Sequence, residues 1–274
     1  MRGKTATIIL MIAFFGGLIL LLYPSVSNWY NMYHQSRVVV QYTENVDQID
    51  LEIYQKMLRD AKEYNEKLSQ QTVHNLSEEE LEVYDQQLNF GEDGVMAYIW
   101  IPKIDVNLPI YHGTSDAVLQ TAIGHLEWSS LPVGGESSHC VLSGHRGMPS
   151  AKLFTDLPSL GPGDWFTITT LKETLTYEVF ETNTVKPSDL SLLQICEGED
   201  LCTLSTCTPY GINTERFLVR ARRIESEDIV MPIEAQQIEP RLIAIFLGIP
   251  MLLILVGVFL INKKTEKTRT GKEN

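Results

Sequence analysis

Two stretches without a single charge constrain this chain more than anything else in it. Thr5 to Tyr23 runs for 19 residues and Leu242 to Ile261 for 20. At about 1.5 Å per helical residue each reaches roughly 30 Å, the hydrocarbon thickness of a bilayer. The expectation is therefore two transmembrane helices, at 5–23 and 242–261. Their flanks give an orientation. Arg2 and Lys4 precede the first, and Lys263, Lys264, Lys267, Arg269 and Lys272 follow the second. On the inner sides of the two stretches Arg37 is the first basic residue and Arg241 stands alone. Basic residues stay in the cytoplasm, so residues 1–4 and the basic tail 262–274 belong there and the middle lies outside the cell membrane. The competing reading of the first stretch is a cleavable signal peptide, with Ser25-Val26-Ser27 as a small-x-small site. Its apolar run is long for a signal core. Pro250 would sit inside the second helix, where membrane helices tolerate it.

Charge supports the same division. The whole chain carries −13, which argues against broad nucleic-acid binding, a task for clustered Lys and Arg. The two tails hold seven of the 22 basic and two of the 35 acidic residues, leaving 15 basic and 33 acidic, a net −18. A surface of that sign is well hydrated, and it also attracts basic partners from a distance. Four Cys are too few to build a disulfide scaffold of this length.

The middle reads as two parts. Residues 24–94 form a helical arm. Ile49, Ile53, Met57, Ala61, Tyr64 and Leu68 recur at three or four residues, a stripe that predicts docking rather than chemistry. Ser77 and Glu80 make a capping box, with Leu76 and Leu81 as its hydrophobic staple. From 95 to 224 the pattern changes to short β-prone runs: Met96–Ile101, Cys140–Ser143, Trp165–Thr169, Thr176–Phe180, Cys202–Ser205 and Arg216–Arg220. Gly- and Pro-rich turns separate them, at Leu131-Pro132-Val133-Gly134-Gly135 and Leu160-Gly161-Pro162-Gly163-Asp164. Many short strands with such turns predict a closed or nearly closed β-barrel. Residues 225–241 link it to the second apolar stretch.

Three residue types near predicted strand ends have chemistry to offer. Cys207 leaves the run Thr203-Leu204-Ser205-Thr206-Cys207 into the turn Thr208-Pro209-Tyr210-Gly211, where a sulfur is accessible for nucleophilic attack. His145 lies between Gly144 and Gly147, and glycine lets another backbone or a substrate come close. Arg216 opens the next strand, nine residues after Cys207, and a tight return would bring its guanidinium back beside the sulfur. Singly, each has an ordinary structural explanation. A lone Cys is usually a buried apolar residue, a lone His a satisfied one, a lone Arg a surface charge.

Together these blocks resemble the sortases, most closely the class C, pilus-assembling group. The blocks are Thr203 to Gly211 with Arg216, Gly124-His125-Leu126-Glu127, Ser130 to Gly135, Ser143-Gly144-His145-Arg146-Gly147, and Ile101-Pro102-Lys103-Ile104 with Leu108-Pro109-Ile110-Tyr111. The resemblance covers about 95–224. It implies a mainly β fold: a closed sortase-type barrel with an N-terminal helical arm, flanked by two transmembrane helices. It also implies a membrane-anchored cysteine transpeptidase outside a Gram-positive cell. Cys207 would attack an LPXTG-like sorting signal between Thr and Gly, forming a thioacyl-enzyme. His145 would serve as acid and base, and Arg216 would orient substrate and stabilise the oxyanion. Ser205 and Thr206 are expected substrate contacts. The acceptor would be a Lys amine of a pilin subunit, building covalent pili. Two alternatives stand beside this reading: a sortase that anchors single surface proteins to a cell-wall amine, and a catalytically silent binding or assembly module on the same fold. The sequence departs from the group at the Asp-Pro-aromatic lid that plugs many class C sites. No Pro lies between Pro24 and Pro102, Tyr84 to Phe90 does not match the motif, and autoinhibition is not expected.

Cys140 precedes His145 by five residues and Cys202 precedes Cys207 by five. Parallel neighbouring strands, as the family fold implies, would set Cys140 beside Cys202, either as two buried thiols or as a bridge. Cys196 and Cys202 are a second candidate pair. His34, His74, His112, His125 and His139 show no metal spacing, and no loop around Asp93 has a calcium pattern, so neither a metal nor a cofactor is expected.

Overall fold

A charge-free apolar stretch of bilayer length satisfies its backbone polar groups internally as helix, and helix α1 spans Arg2–Asp47. The computed structural model describes residues 2–70, 75–91, 94–225 and Gly257. The expected second span, the linker beyond Glu225, the basic tail, His74 and Asp93 lie outside the described residues, Gly257 excepted. The first part of α1 is long and apolar enough to cross a membrane, and Ile8, Leu10, Phe14, Leu20 and Leu21 are all exposed on it. The helix continues through Pro24, which removes one backbone donor, and its far end becomes part of the globular domain. There Val39, Tyr42 and Val46 are buried on one face. The Tyr42 hydroxyl donates to the Met96 carbonyl (3.0 Å) and accepts from the Leu171 N–H (2.8 Å).

Helix α2 (Leu51–Ser69) starts at Asp50, whose side chain accepts from the Glu52 N–H at 2.8 Å. Its docking stripe differs slightly from the expected one. Ile53 is 55% exposed, while Tyr54 and Leu58 pack on the core beside Met57. Two adjacent rows at three- and four-residue spacing both fit the periodicity, and the choice between them is made by Asn65. That residue is buried in the stripe because its amide makes both hydrogen bonds to the Leu131 backbone (2.7 and 3.0 Å). Helix α3 (Glu78–Gln86) begins with the expected capping box of Ser77 and Glu80. Leu76 packs on the core, but Leu81 stays exposed.

Eight strands form the closed barrel: β1 (Val95–Ile101), β2 (Val106–His112), β3 (Ile123–His125), β4 (Ser138–Ser143), β5 (Trp165–Thr170), β6 (Glu173–Val185), β7 (Asp200–Thr208) and β8 (Glu215–Ile224). A short helix α4 (Asp116–Leu119) joins β2 to β3. The order around the barrel is β1-β2-β3-β4-β7-β8-β6-β5. Most pairs are antiparallel; β2–β3 and β4–β7 are parallel. β4 and β7 are separated by 56 residues, the distance between Ser143 and Asp200 (residues 144 to 199), so a crossover must connect them.

The wall made by β4, β7, β8 and β6 is covered on both faces. Cys140, Leu142, Cys202, Leu204, Val219 and Ala221 point into the main core with Ile99, Ile110 and Phe166. The alternate residues Val141 and Leu218 join Leu193 in a second cluster, with Leu126, Trp128, Val185, Leu190 and Leu192 packed against it. This explains the continuous apolar run Cys140-Val141-Leu142, since a strand buried on both faces need not alternate. Leu190, Leu192 and Leu193 come from the segment that connects β6 to β7, which lies over the outer face. The candidate chemistry sits at one edge of that same outer face.

Candidate active site

Strand pairing alone brings two of the three candidate residues together. Cys207 and Arg216 are direct partners in the antiparallel β7–β8 ladder, so their side chains leave the sheet on one face. Ser205 opposite Leu218 and Thr203 opposite Arg220 continue that face below them. The parallel β4–β7 register, Cys140 with Cys202 and Ser143 with Ser205, sets the height of the third. His145 follows Ser143 by two residues, as Cys207 follows Ser205, so the register directs the turn carrying His145 toward the end of β7 that carries Cys207. The pairing outlasts the strand by one bond, from the Gly144 N–H to the Ser205 carbonyl (3.1 Å). Cys207, His145 and Arg216 are all half-buried, which leaves each open to a ligand.

The turn that holds His145 is fixed from three sides. The Thr206 hydroxyl donates to the Gly144 carbonyl at 2.7 Å, and the Phe154 N–H donates to the His145 carbonyl at 3.1 Å. Gly144 is there because nothing larger fits: a Cβ would lie 2.7 Å from the Phe154 ring and 2.8 Å from Ile123 Cδ1. Gly147 has φ +78°, and a Cβ on it would meet the Tyr210 ring at 2.8 Å. Arg146 lies over that ring at 5.8 Å and donates to the Thr208 hydroxyl at 3.2 Å. The turn after Cys207 and the turn carrying His145 are thus held against each other by Tyr210, Arg146 and Thr208. These three contacts were not legible in the sequence; Tyr210 stood out only as part of a turn.

Ser205 lies beneath Cys207 on the outer face and is 8% exposed. Thr206 points to the other face, is 2% exposed and has its hydroxyl committed to Gly144.

Below the site, His139 is fully buried on the same outer face. Its Nδ1 lies 2.8 Å from the Gln194 carbonyl and its Nε2 lies 2.7 Å from the Thr203 hydroxyl. A carbonyl only accepts, so Nδ1 carries the proton and Nε2 accepts from Thr203. Burial holds the His139 pKa down at about 4, against the opposing pull of the Gln194 carbonyl. Arg220 pairs with Glu181 nearby and adds a like charge that disfavours protonation.

Inside the barrel, His125 and Tyr84 form a second buried polar link. His125 Nε2 is 2.8 Å from the Ser130 carbonyl, so it carries the proton and Nδ1 accepts from the Tyr84 hydroxyl at 2.9 Å. The Tyr84 oxygen also accepts from the Gly113 N–H at 3.1 Å. Burial raises the Tyr84 pKa well above the usual phenol range. This link anchors α3 and the segment that follows it: Tyr84 and Leu88 are buried, and Phe90 packs edge-on to Tyr42. All four cysteines are free thiols, Cys140 and Cys202 buried side by side in register. Burial pushes the Cys202 thiol well up, and Cys140 beside it adds to the shift. Among the described residues no three His, Cys, Asp or Glu side chains gather as a metal site requires.

This geometry agrees with what the chain is similar to. A family model described as the sortase domain matches residues 99–224. The crystal structure of sortase C1 from Streptococcus agalactiae is 51% identical, with a TM-score of 0.67, over 70% of this chain and 100% of that one. An X-ray structure of Clostridium perfringens sortase C with the C-terminal cell wall sorting motif is 40% identical, with a TM-score of 0.62, over 69% and 99% of the two chains. Sortase D of Bacillus subtilis is 31% identical over 127 residues, a match that spans 61% of that relative's length. The chain belongs to the sortase family of cysteine transpeptidases. Its structural neighbours place it with the class C enzymes.

Proposed function

We propose that the chain is a membrane-anchored transpeptidase that cuts an LPXTG-like sorting signal between Thr and Gly and transfers the acyl part to a pilin Lys amine. The observation that carries the reading is the direct Cys207–Arg216 pair; the parallel β4–β7 register, which leads from Ser143 into the turn of His145, supports the third member. Cys207 gives its proton to His145 and its sulfur attacks the Thr carbonyl carbon. The S–C bond forms and the carbonyl oxygen becomes an oxyanion, which the Arg216 guanidinium stabilises. The C–N bond to Gly then breaks, and the leaving amine takes the proton from His145. The incoming amine attacks the thioester, gives a proton to His145, and expels the Cys207 sulfur, which recovers it. One amide replaces another with no net oxidation and no metal or cofactor in the sequence of steps.

The acceptor and anchoring parts of this reading have separate support. The Streptococcus pneumoniae sortase C structure, 38% identical to this chain, is described in terms of pilin substrate specificity, and the C. perfringens relative was solved with a sorting motif. The exposed apolar half of α1 supports an anchor, and residues 242–261 supply a second apolar stretch of bilayer length. The charge flanks favour both termini inside and residues 24–241 outside. Ser205, beneath the sulfur, would line the floor on which the signal lies; Thr206 would act through Gly144.

The test is a purified full-length protein in detergent, mixed with an LPXTG-type peptide and, in parallel reactions, a Lys-bearing acceptor peptide or a cell-wall peptide amine. A Thr-terminated acyl group on Cys207, resolved by a Lys amine into an isopeptide bond, is the expected product by mass spectrometry. No adduct would leave the silent assembly module standing. Transfer to a cell-wall amine but never to Lys would favour the enzyme that anchors single proteins.

A further inference from the structure

The loop behind His145 is held by the helix that would anchor the protein. Asn28 and Asn31 of α1 reach across the sequence to residues 150–152. The Lys152 N–H donates to Asn28 Oδ1 at 2.6 Å, and Asn31 Nδ2 donates to the Ser150 carbonyl at 2.6 Å. A backbone N–H can only donate and a carbonyl only accept, so these bonds fix which way each amide is turned. Both amides lie on the face of α1 that packs on the domain. Asn28, Asn31, Gln35, Val39, Tyr42 and Val46 recur every three or four residues, and the last three are in the main core. The stripe is therefore apolar where it meets the barrel and made of amides where it meets the loop. Packing alone would be met by Leu or Val there. Amides that bond to backbone instead fix where that backbone lies.

The loop also reaches the candidate site. It leaves His145 through Gly147, whose N–H donates to the Thr155 hydroxyl at 3.1 Å, and returns at Phe154, whose N–H donates to the His145 carbonyl. Ala151 and Leu153 are buried within it, and Lys152 Nζ donates to the Ile104 carbonyl at 3.0 Å. Residues 150–152 thus link α1 to the turn that carries His145. Asn28 is five residues past Tyr23, about 7 Å along a helix, so the contact lies within two turns of the end of the apolar stretch.

We infer that Asn28 and Asn31 are positioning residues for His145: the anchor helix is part of the catalytic framework, and it sets the imidazole at the height of Cys207. This rests on the acid–base role proposed above for His145. Small displacements of a positioned group cost large factors in rate, on the order of a hundredfold for 1 Å. Neither Asn is among the groups proposed to touch substrate, so the loss falls on turnover rather than on binding.

The experiment uses the full chain in nanodiscs, with two readouts. One is amide hydrogen exchange of residues 146–154 without substrate; the other is kcat and KM for an LPXTG-type peptide with an amine acceptor. The double variant N28A/N31A should exchange faster in that loop and lose roughly ten- to a hundredfold in kcat, with KM within about twofold. Its thermal midpoint should fall by no more than a few degrees, because Val39, Tyr42 and Val46 still dock α1. Polarity separates positioning from packing. Asn28→Asp keeps an acceptor for Lys152 and should restore most of the rate. Asn31→Asp replaces the donor by a second acceptor facing the Ser150 carbonyl and should behave like the double variant. Wild-type exchange and wild-type kcat in N28A/N31A would overturn the inference, as would equal rates for the two Asp variants. If the wild type forms no Cys207 adduct, the proposed chemistry itself fails and takes the rate half of the inference with it. The exchange readout separates that failure from a failure of the brace.

Discussion

Cys207 and Arg216 are directly opposite one another in the β7–β8 ladder, with eight residues between them (208 to 215) and a six-residue loop, 209–214, joining the strands. The relation is set by backbone pairing, not by side-chain reach, so a slip of β8 by one residue would send Arg216 to the face of the sheet opposite Cys207. It also means that Arg216 can be changed without moving the sulfur. Arg216→Ala should lower the rate of thioacyl formation on Cys207 by about a hundred- to a thousandfold, the usual loss for one oxyanion donor. Arg216→Lys should recover part of it, since a point charge replaces a fork of donors. Rapid-quench mass spectrometry of the acyl-enzyme measures both, and an Arg216→Ala protein with the wild-type rate would remove Arg216 from the chemistry.

Gly144 is the tightest backbone position beside the site. The Cβ of Gly144→Ala would press on the Phe154 ring at 2.7 Å and on Ile123 at 2.8 Å, both in the main core. Overpacking of that kind costs about 1–3 kcal/mol. The strain also falls on the turn holding His145, so thioacyl transfer to the acceptor should slow by more than the stability loss explains. Thr206→Val should give a milder version, because it leaves the Gly144 carbonyl without its hydroxyl donor, and Thr206→Ser should restore it. Thermal melts alongside turnover separate the two effects.

The buried His139 gives the domain a pH limit on the acid side. Burial lowers its folded pKa to about 4, from an ordinary 6.5 that an unfolded chain would show. The unfolded state therefore binds the extra proton first. The stabilisation is fully present above about pH 6.5 and is lost as pH falls toward about 4, reaching roughly 3 kcal/mol at the low end. His139→Gln keeps a donor and an acceptor for Gln194 and Thr203 but has no proton to gain. Urea unfolding from pH 7 to 4 should show a shallower loss for that variant. Identical slopes would mean that other groups govern acid unfolding.

The barrel was readable because its strands are separated by Gly- and Pro-rich turns, and six of the eight strands carry an apolar or β-branched run. β2 and β3 were legible only through the family resemblance. β2 alternates Val106, Leu108 and Ile110, but Pro109 inside it argues against a strand, and β3 has only three residues, too few for a periodic signal. The partnership of Cys207 with Arg216 follows from a hairpin and needed only the spacing. Tyr210, Arg146 and the two Asn of α1 could not be found that way. Their contacts join segments far apart in sequence, 119 residues from Asn31 to Ser150, and no local pattern marks them. The row chosen on α2 was likewise decided by Asn65, a polar residue whose burial depends on a partner, Leu131, 66 residues away.

The four thiols divide by exposure. Cys207 and Cys196 are half-buried, whereas Cys140 and Cys202 lie in the core. Alkylation of the native protein should modify Cys207 and Cys196 within minutes and leave the core pair untouched; denaturation should then release two further thiols. Finding fewer than four thiols after denaturation without reductant would reveal a bridge where this structure has free sulfurs.

Tyr84 ties the helical arm to the barrel through one oxygen, and the tie is testable without disturbing packing. The Tyr84 hydroxyl donates to His125 Nδ1 and accepts from the Gly113 N–H, in a site where water is excluded. Tyr84→Phe keeps the ring, with its stacking on His125, and deletes only the oxygen. It leaves a buried acceptor and a half-buried donor without partners, at a cost of about 1–3 kcal/mol. Because His125 Nε2 is already committed to the Ser130 carbonyl, the imidazole cannot turn to find another donor without breaking that bond. The loss should appear as a lower unfolding midpoint and as faster amide exchange in residues 78–90, with the rate of thioacyl formation on Cys207 within about twofold of wild type. A variant that instead gained activity would show that residues 78–90 restrain the site, against the expectation of no autoinhibition.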